Sequence, residues 1–203
     1  MIDIPGLIIK TGTEVDPFVY ETDLAPHLRM TADDISHKSY IEDLARSAVH
    51  KVEHDTMRAL ITRIYTQSHD QLPCYRDEIK LLRGPVTSAA FSMKYLNTSG
   101  EEITLALNTD VILDTMRNPS SINLPAGKSW ERALDQVNSV LIDFTAGYGP
   151  AAVNVPKVFK TLIAQLTVSW FENPEAVSTM PLYEIPNPVG YDSLLATVKT
   201  WGF

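Results

Sequence analysis

Apolar residues recur with helical spacing in three parts of the chain. The longest part, residues 34–57, has apolar side chains at the i, i+3, i+4 and i+7 positions expected of a helix with one buried face. That face consists of Ile41, Leu44, Ala45, Ala48, Val49 and Val52. A shorter helix is predicted over residues 22–30, and another over residues 156–172, where Pro156 suits the first helical position. The apolar face of the latter consists of Phe159, Leu162, Ile163, Leu166 and Trp170. The pattern therefore places helices on both sides of the central part of the chain.

The spacing changes over residues 59–147 to short segments that are rich in β-branched and aromatic residues and separated by turn residues. These segments are ALITRIYTQ, EIKLLRG, SAAFSMKYL, EEITLAL and SVLIDFTAG. The sequence NTSG at residues 97–100 predicts a hairpin loop between two of them. We therefore expect an α+β fold with a single domain over residues 21–173, in which a small antiparallel sheet is inserted between N-terminal helices and a C-terminal helix that pack together.

Both ends of the chain are predicted to form extended arms, over residues 1–20 and 174–203. The C-terminal arm contains Pro174, Pro181, Pro186 and Pro188. These prolines exclude a regular helix or a central strand, while the apolar residues between them do not suit a disordered tail. A short helix is predicted at the end of this arm. We expect the following apolar residues of the arm to contact another chain: Leu182, Tyr183, Ile185, Leu194, Val198 and Trp201.

Composition limits the classes of function. The formal net charge is −8, and an acidic protein lacks the clustered Lys and Arg that nucleic-acid binding requires. Cys74 is the only cysteine, so no intramolecular disulfide can form. No signal-peptide pattern and no apolar run of membrane-spanning length is apparent, and we expect a soluble protein made in a cytoplasm.

Residues 50–54, HKVEH, match the H-x-x-E-H pattern of the inverted zinc proteases. A helix turns by about 100° per residue, so His50 and His54 point away from the buried face, together with Arg46. We interpret these three residues as a polar stripe that faces solvent or a neighbouring subunit. The alternative is a zinc hydrolase that uses His50, Glu53 and His54. It requires a third ligand and an enclosing cleft, which the sequence does not identify.

Other patterns indicate no catalytic residue, metal ligand or cofactor site. The GYG sequence at residues 147–149 lacks the Lys-Ser/Thr pair of a phosphate-binding loop, and no G-x-S-x-G is present. His27, His37 and His69 stand apart from one another and are interpreted as surface or capping residues. These observations favour a structural or assembly role.

The order of segments over residues 17–203 resembles the head–tail connector (adaptor) family of long-tailed phages, prophages and gene transfer agents. The stretches that carry the resemblance are PFVYETDLAPHLRM, IEDLARSAVHKVEHDTMRALITRIYTQ, EIKLLRGPVTSAAFSMKYLNTSGEE, PAGKSW, IDFTAGYG and VPKVFKTLIAQLTVSWFENPEAV. The sequence departs from the family pattern at Pro26, where a helix former is usual, and in the linkers over residues 108–125 and 178–192.

The resemblance implies a ring of about twelve subunits under the portal protein, at the head–tail junction of a virion that is assembled in the host cytoplasm. Its expected partners are further copies of itself, the portal, and a neck or tail protein such as a stopper or tail terminator. Genomic DNA would pass through the ring without sequence-specific binding, for which a net acidic protein is suited. The resemblance implies no catalysis and no cofactor. The alternatives to an adaptor are another neck component, the zinc hydrolase named above, and a monomeric binding domain.

Overall fold

The computed structural model describes residues 6–11, 15–31, 36–73, 78–173, 187–188 and 190–199, except for the side chains of Thr11 and Ser88. The chain forms two compact units. Unit 1 contains the described residues of Met1–Glu14 and Met57–Tyr148, and unit 2 contains those of Val15–Thr56 and Gly149–Lys199. The described strands lie in unit 1 and the described helices in unit 2, which confirms the predicted α+β class.

In its described residues, unit 1 contains eight strands that form two antiparallel sheets. The strands are β1 (Leu7–Thr11), β2 (Arg63–His69), β3 (Ile79–Lys80), β4 (Val86–Leu96), β5 (Glu102–Leu105), β6 (Ile112–Asp114), β7 (Ser121–Asn123) and β8 (Val140–Ala146). The larger sheet has the order β1-β2-β8-β4-β5, and the smaller sheet has the order β3-β7-β6. The antiparallel arrangement agrees with the sequence prediction, but the strands divide between two sheets.

Strand β1 belongs to the segment predicted as an N-terminal arm. It is extended, as expected, but it pairs with β2 as an edge strand of its own subunit's sheet. Leu7 and Ile9 pack against the core of unit 1, whereas Ile8 between them is 67% exposed. This alternation fits the pleat of a strand with one buried face, which explains why residues 7–11 join the sheet.

The buried face of the larger sheet supplies most of the core of unit 1. Side chains along β8 alternate, so that Val140, Ile142 and Phe144 are fully buried while Leu141 is exposed. The Phe144 ring stacks on that of Tyr65 from β2, with the ring centroids 5.9 Å apart. Burial of these apolar side chains is the main favourable contribution to the stability of the unit.

The predicted hairpin loop at residues 97–100 is confirmed. It connects β4 to β5, and Oδ1 of Asn97 accepts hydrogen bonds from the backbone N–H groups of Ser99, at 2.9 Å, and Glu101, at 3.0 Å. Gly100 adopts a φ of 81°, a conformation that glycine reaches without steric cost. Local hydrogen bonds therefore fix the turn that the sequence indicated.

Gln67 on β2 connects the larger sheet to the segment that follows β3. Its side chain is fully buried. The amide Nε2 donates to the carbonyl oxygen of Lys80 at 2.9 Å, and Oε1 accepts from the N–H of Leu82 at 3.0 Å. Nε2 also lies 2.8 Å from Nε2 of His69, whose pKa is lowered by burial, an effect opposed by the charge of Asp70. His69 is therefore half-buried and lies within hydrogen-bonding distance of Gln67, whereas the sequence suggested a surface or capping residue.

Replacing Gln67 with leucine should lower the free energy of unfolding by about 2 kcal/mol, because the backbone groups of Lys80 and Leu82 would lose their side-chain partners. Chemical denaturation monitored by circular dichroism would measure the change. Gln71→Leu is the matched control, because Gln71 is exposed and its amide donates to the side chain of Asp135 rather than to the backbone. Equal losses for the two variants would contradict a structural role for the buried amide.

The end of β8 passes very close to the segment that precedes β2. Gly147 has a φ of 140°, and a Cβ built on it would lie 2.4 Å from Cα of Thr62. The N–H of Gly147 donates to the carbonyl oxygen of Pro85 at 2.9 Å, and the N–H of Tyr148 donates to that of Leu60 at 3.3 Å. The continuous segment from β2 to β8 thus begins and ends at points that are hydrogen-bonded to each other within unit 1, and the crossing leaves no room for a side chain.

Unit 2 contains three described α-helices, α1 (Lys38–Thr56), α2 (Lys157–Glu172) and α3 (Tyr191–Val198). Helices α1 and α2 pack against each other, and α3 contacts both. Helix α1 ends at Thr56 because Met57 has a left-handed backbone conformation with a φ of 55°. The predicted buried faces agree largely with the structure, since the following residues are buried: Ile41, Ala45, Ala48, Val49, Val52, Phe159, Leu162, Ile163 and Leu166.

The segment predicted as a short helix over residues 22–30 differs from that expectation. It begins with a single π-helical turn, Tyr20–Leu24, and continues through irregular turns. Pro26 has no N–H to donate, and Arg29 has a positive φ of 57°, so a regular helix cannot continue there. None of the described helices is both long and apolar enough to cross a membrane.

Candidate assembly surfaces

The exposed side of α1 carries Arg46 and His50, as the helical spacing predicts. Nη2 of Arg46 lies 3.0 Å from Oδ2 of Asp16, and its Nη1 lies 2.8 Å from Oδ1 of Asp43. The hydrogen bond to Asp16 is the main cause of a raised pKa of the Arg46 guanidinium. The polar stripe is therefore open to solvent, but its arginine is already paired within unit 2.

The HKVEH residues do not assemble into a metal centre. Glu53 is buried, whereas His50 is exposed and the side chain of His54 is 44% exposed. Among the residues that the structure describes, no group of three or more His, Cys, Asp or Glu side chains is close enough to hold a metal ion. Within the part of the chain that the structure describes, the motif therefore has no third ligand of the kind that a zinc hydrolase requires.

Asp55 connects α1 to the C-terminal helix α3. Its Oδ2 lies 3.0 Å from Nζ of Lys51 and accepts a hydrogen bond from the hydroxyl of Tyr191 at 3.2 Å, and its Oδ1 lies 3.3 Å from Nδ1 of His54. Tyr191 is fully buried, and burial raises the pKa of its hydroxyl, with a further contribution from Asp55. Tyr191 thus remains a neutral donor, and it fixes the start of α3 on its own unit.

The apolar residues expected to contact another chain have different positions. Leu194 and Val198 lie on α3 and are half-buried, so each keeps part of its apolar surface accessible. Leu182, Tyr183, Ile185 and Trp201 lie outside the described residues. The part of the predicted C-terminal arm that is described, helix α3, therefore rests on unit 2 and is not an isolated extension.

The exposed face of the larger sheet carries a network of charges around Asp143 on β8. The carboxylate accepts hydrogen bonds from Lys10 of β1 and from the Thr66 hydroxyl of β2, the latter at 2.6 Å. Burial alone would raise the pKa of Asp143, but the bonds to Lys10 and Thr66 and the nearby charge of Lys94 lower it overall. The network links three strands and gives this face a polar surface.

The Asp143→Asn variant should be about 1 kcal/mol less stable than the wild type at pH 7, a modest value because Lys10 is more than half exposed. The pKa of Asp143 is lower in the folded than in the unfolded chain, so its contribution is present above the unfolded value and is lost as the pH falls through the folded value. The difference between the two proteins should therefore vanish in strong acid. Denaturant midpoints measured from neutral pH to about pH 2 would test this. The control is Glu102→Gln, which removes an exposed carboxylate paired with Lys94.

The Gly-Lys-Ser-Trp loop of residues 127–130 lines a pocket of about 360 Å³ in unit 1. Nζ of Lys128 binds Oδ1 of Asp110 and the carbonyl oxygen of Thr109, each at 2.8 Å. The Tyr95 hydroxyl donates to Oε2 of Glu131, and burial, followed by that carboxylate, raises the pKa of Tyr95 to about 12. These bonds of Lys128 connect the loop to the turn after β5, so the lysine has a structural role.

Several features of these surfaces were not visible in the sequence. Strongly exposed apolar side chains are found on β1, in loops and in the 3-10 turn Ala152–Asn154, and they include Ile8, Met116, Val137 and Val153. The Asp55–Tyr191 hydrogen bond joins residues 136 positions apart, and no local pattern marks it. A buried Glu53 beside an exposed His50 could have been anticipated, because the glutamate follows the buried Val52 and Val49 around the helix.

Solved structures with the same fold come from gene transfer agent (GTA) particles. A chain of the virion of a native GTA particle has a TM-score of 0.67 with 20% sequence identity, and the alignment covers 97% of this chain and 96% of that one. A chain in the neck of an empty GTA particle, computed with C6 symmetry, gives 0.66, 20% identity and coverages of 97% and 96%. A chain in the neck of a native particle, computed with C12 symmetry, gives 0.58, 20% identity and 97% of each chain. No protein-family model matches the sequence, and no curated protein matches it significantly. At this identity the similarity establishes a shared fold along nearly the whole chain.

Proposed function

We propose that the chain is a head–tail connector (adaptor), a non-enzymatic structural protein at the neck of a virion or virion-like particle. About twelve copies form a ring under the portal, surround the DNA channel and provide the platform for a neck or tail protein. The observation that carries the proposal is the fold shared with neck chains of GTA particles over 97% of this chain. The C6 and C12 symmetries of those necks support a ring of identical subunits.

The electrostatics of the chain support passage of DNA without retention. A net charge of −8 repels a phosphate backbone, and most basic residues described above are paired with carboxylates, as Arg46 and Lys128 are. The ring would thus guide the genome without binding it sequence-specifically.

Binding to purified portal protein, with no other neck protein present, tests the proposal. An adaptor should form a complex whose mass corresponds to about twelve copies of this chain on one portal ring, measured by native mass spectrometry. A stopper or tail terminator should bind only after another neck protein has been added. Failure to join the portal under either condition would contradict the connector function and favour a monomeric binding domain.

A further inference from the structure

The loop between β6 and β7, residues 115–120, presents a methionine to solvent. Met116 is 95% exposed, more than any other large apolar residue in the described part of the chain. Single exposed apolar residues are common on protein surfaces, so exposure alone does not indicate a contact. Two further observations distinguish Met116, namely the bonds that hold its loop and a pocket at the other end of the same hairpin.

Hydrogen bonds and ion pairs hold the β6–β7 loop in place. The N–H of Met116 donates to Oδ1 of Asp114 at 2.9 Å. The neighbouring Arg117 pairs through Nε with Oδ2 of Asp114, at 3.2 Å, and through Nη1 with Oε2 of Glu78, at 3.3 Å. A side chain on a loop that is already ordered loses less conformational entropy when it binds a partner. Met116 is therefore suited to anchor a contact.

The pocket beside the Gly-Lys-Ser-Trp loop lies at the opposite end of the β6–β7 hairpin. The two strands pair along their whole length, Ile112–Asp114 with Ser121–Asn123. The loop that carries Met116 connects them at one end. Two residues that line the pocket, Asp110 and Leu124, lie just outside the other end. The methionine and the pocket are thus displaced along the hairpin, and Met116 does not fill the pocket of its own chain.

The pocket combines apolar and aromatic walls with an excess of negative charge. Its apolar and aromatic lining residues are Leu72, Tyr95, Leu105, Leu124 and Trp130, and its charged ones are Asp110, Lys128 and Glu131. Lys128 is paired with Asp110, which leaves the carboxylate of Glu131 as the excess charge. A methionine thioether makes favourable contacts with aromatic rings, and Trp130 supplies one. The pocket therefore suits an apolar side chain that has a cation beside it, as Met116 has in Arg117.

We propose that Met116 of one chain inserts into this pocket of a second copy of the chain. The proposal rests on the proposed function, because a ring gives each subunit a neighbour on either side. Arg117, whose side chain is 67% exposed, then lies beside the excess carboxylate of the neighbouring pocket. Because the methionine and the pocket are different parts of the surface, the contact joins copies head to tail, which is the type of interface that closes rings.

Substitution of the methionine tests the contact in rings of the full-length chain on the portal. Met116→Asp should weaken the association of neighbouring subunits at least about tenfold, because a carboxylate would enter an apolar pocket with excess negative charge. Native mass spectrometry at limiting amounts of chain measures the effect. The wild type should fill the portal cooperatively, with either none or about twelve copies, whereas the variant should show intermediate copy numbers.

Val137→Asp is the matched control for the methionine substitution. Val137 is 71% exposed in another loop of unit 1, so the same charge there should leave cooperative filling unchanged. Equal effects of the two variants, or unchanged filling by Met116→Asp, would overturn the proposal. If Met116→Asp binds no portal even at high concentration, the loop contacts the portal and the second-copy assignment is wrong.

A substitution in the pocket tests the other side of the contact. Ser129 lines the pocket and is exposed, so Ser129→Trp places an indole in the pocket without disturbing the core. This variant should give the same intermediate copy numbers as Met116→Asp. Ser99→Trp, at an exposed serine of the β4–β5 hairpin, should fill the portal like the wild type. Cooperative filling by Ser129→Trp would show that the pocket does not receive the methionine.

A disulfide cross-link identifies the partner of Met116. In a Cys74→Ser background, chains carrying Met116→Cys are mixed with chains carrying Ser129→Cys, and the rings that they form on the portal are oxidised. The expected product joins one chain of each type. Rings of normal copy number without this product would overturn the proposal and leave the connector function intact. A wild-type chain that does not join the portal would instead contradict the connector function, so the two failures are distinguishable.

Discussion

Deletion of residues 176–203 should abolish attachment of the chain to portal-bearing heads. The reason is that the segment holds the apolar residues proposed to contact other chains, including Leu182, Tyr183 and Ile185, and half-buried Leu194 on α3. Wild-type and truncated proteins would be incubated with heads that carry the portal, and the bound fraction would be measured after sedimentation. Normal attachment of the truncated chain would refute the assembly role of the arm.

The truncation also removes Tyr191, which is fully buried and bonds to Asp55, so it disturbs unit 2 as well as the arm. A second variant separates the two effects. Tyr183→Asp combined with Ile185→Asp leaves α3 unchanged and should reduce attachment nearly as strongly as the deletion. The control places the same two charges at Ser99 and Thr104, which are exposed on or beside the β4–β5 hairpin, and should attach normally. If the control loses attachment to the same extent, added negative charge and not the arm is responsible.

Replacing Gly147 with alanine should cost about 4 kcal/mol of stability or more, which approaches the whole stability of a small domain. The new Cβ would lie 2.4 Å from Cα and 2.5 Å from N of Thr62, and a backbone neighbour cannot rotate away as a side-chain tip can. The φ of 140° adds strain for any residue with a Cβ. Thermal unfolding followed by circular dichroism would show a large fall in Tm or no cooperative transition.

Gly127→Ala is the control for the Gly147 substitution. Gly127 also has a positive φ, of 86°, but a Cβ there meets no atom within 4 Å. Its cost should be limited to about 1 kcal/mol of backbone strain. Similar losses at the two positions would mean that the close approach to Thr62 does not determine stability.

The elements with strong local signals were predictable from the sequence, and those that depend on distant partners were not. Helices α1 and α2 have long apolar faces with regular spacing, and their buried residues agree with the prediction. The N-terminal strand β1 pairs with β2, more than fifty residues away, so its sequence alone cannot distinguish an arm from an edge strand. Gln67 appears as a polar residue in a strand, yet the structure buries it because backbone groups of Lys80 in β3 and of Leu82 just after it satisfy its amide.

The candidate assembly surfaces show the same division. Helical geometry alone predicted that Arg46 and His50 lie outside the buried face, and both side chains are exposed in the structure. Their contact with another subunit stays a prediction. Arg46 pairs with the carboxylates of Asp43, in the same helix, and of Asp16, in a separate segment. Only the pair with Asp43 follows from helical spacing.

The hydrogen bond between Tyr148 and Leu60, beside the crossing at Gly147, has a consequence for how such a chain can diversify. Because the continuous segment from β2 to β8 begins and ends at adjoining points, it has the termini of a portable module, and modules of this kind are readily exchanged by recombination. Two crossovers, one near residue 57 and one near residue 148, would transplant this segment into a related scaffold, whose own N-terminal segment would supply the edge strand in place of β1. A lineage could in this way acquire a new docking partner on one module while it keeps the helical scaffold that served the old one.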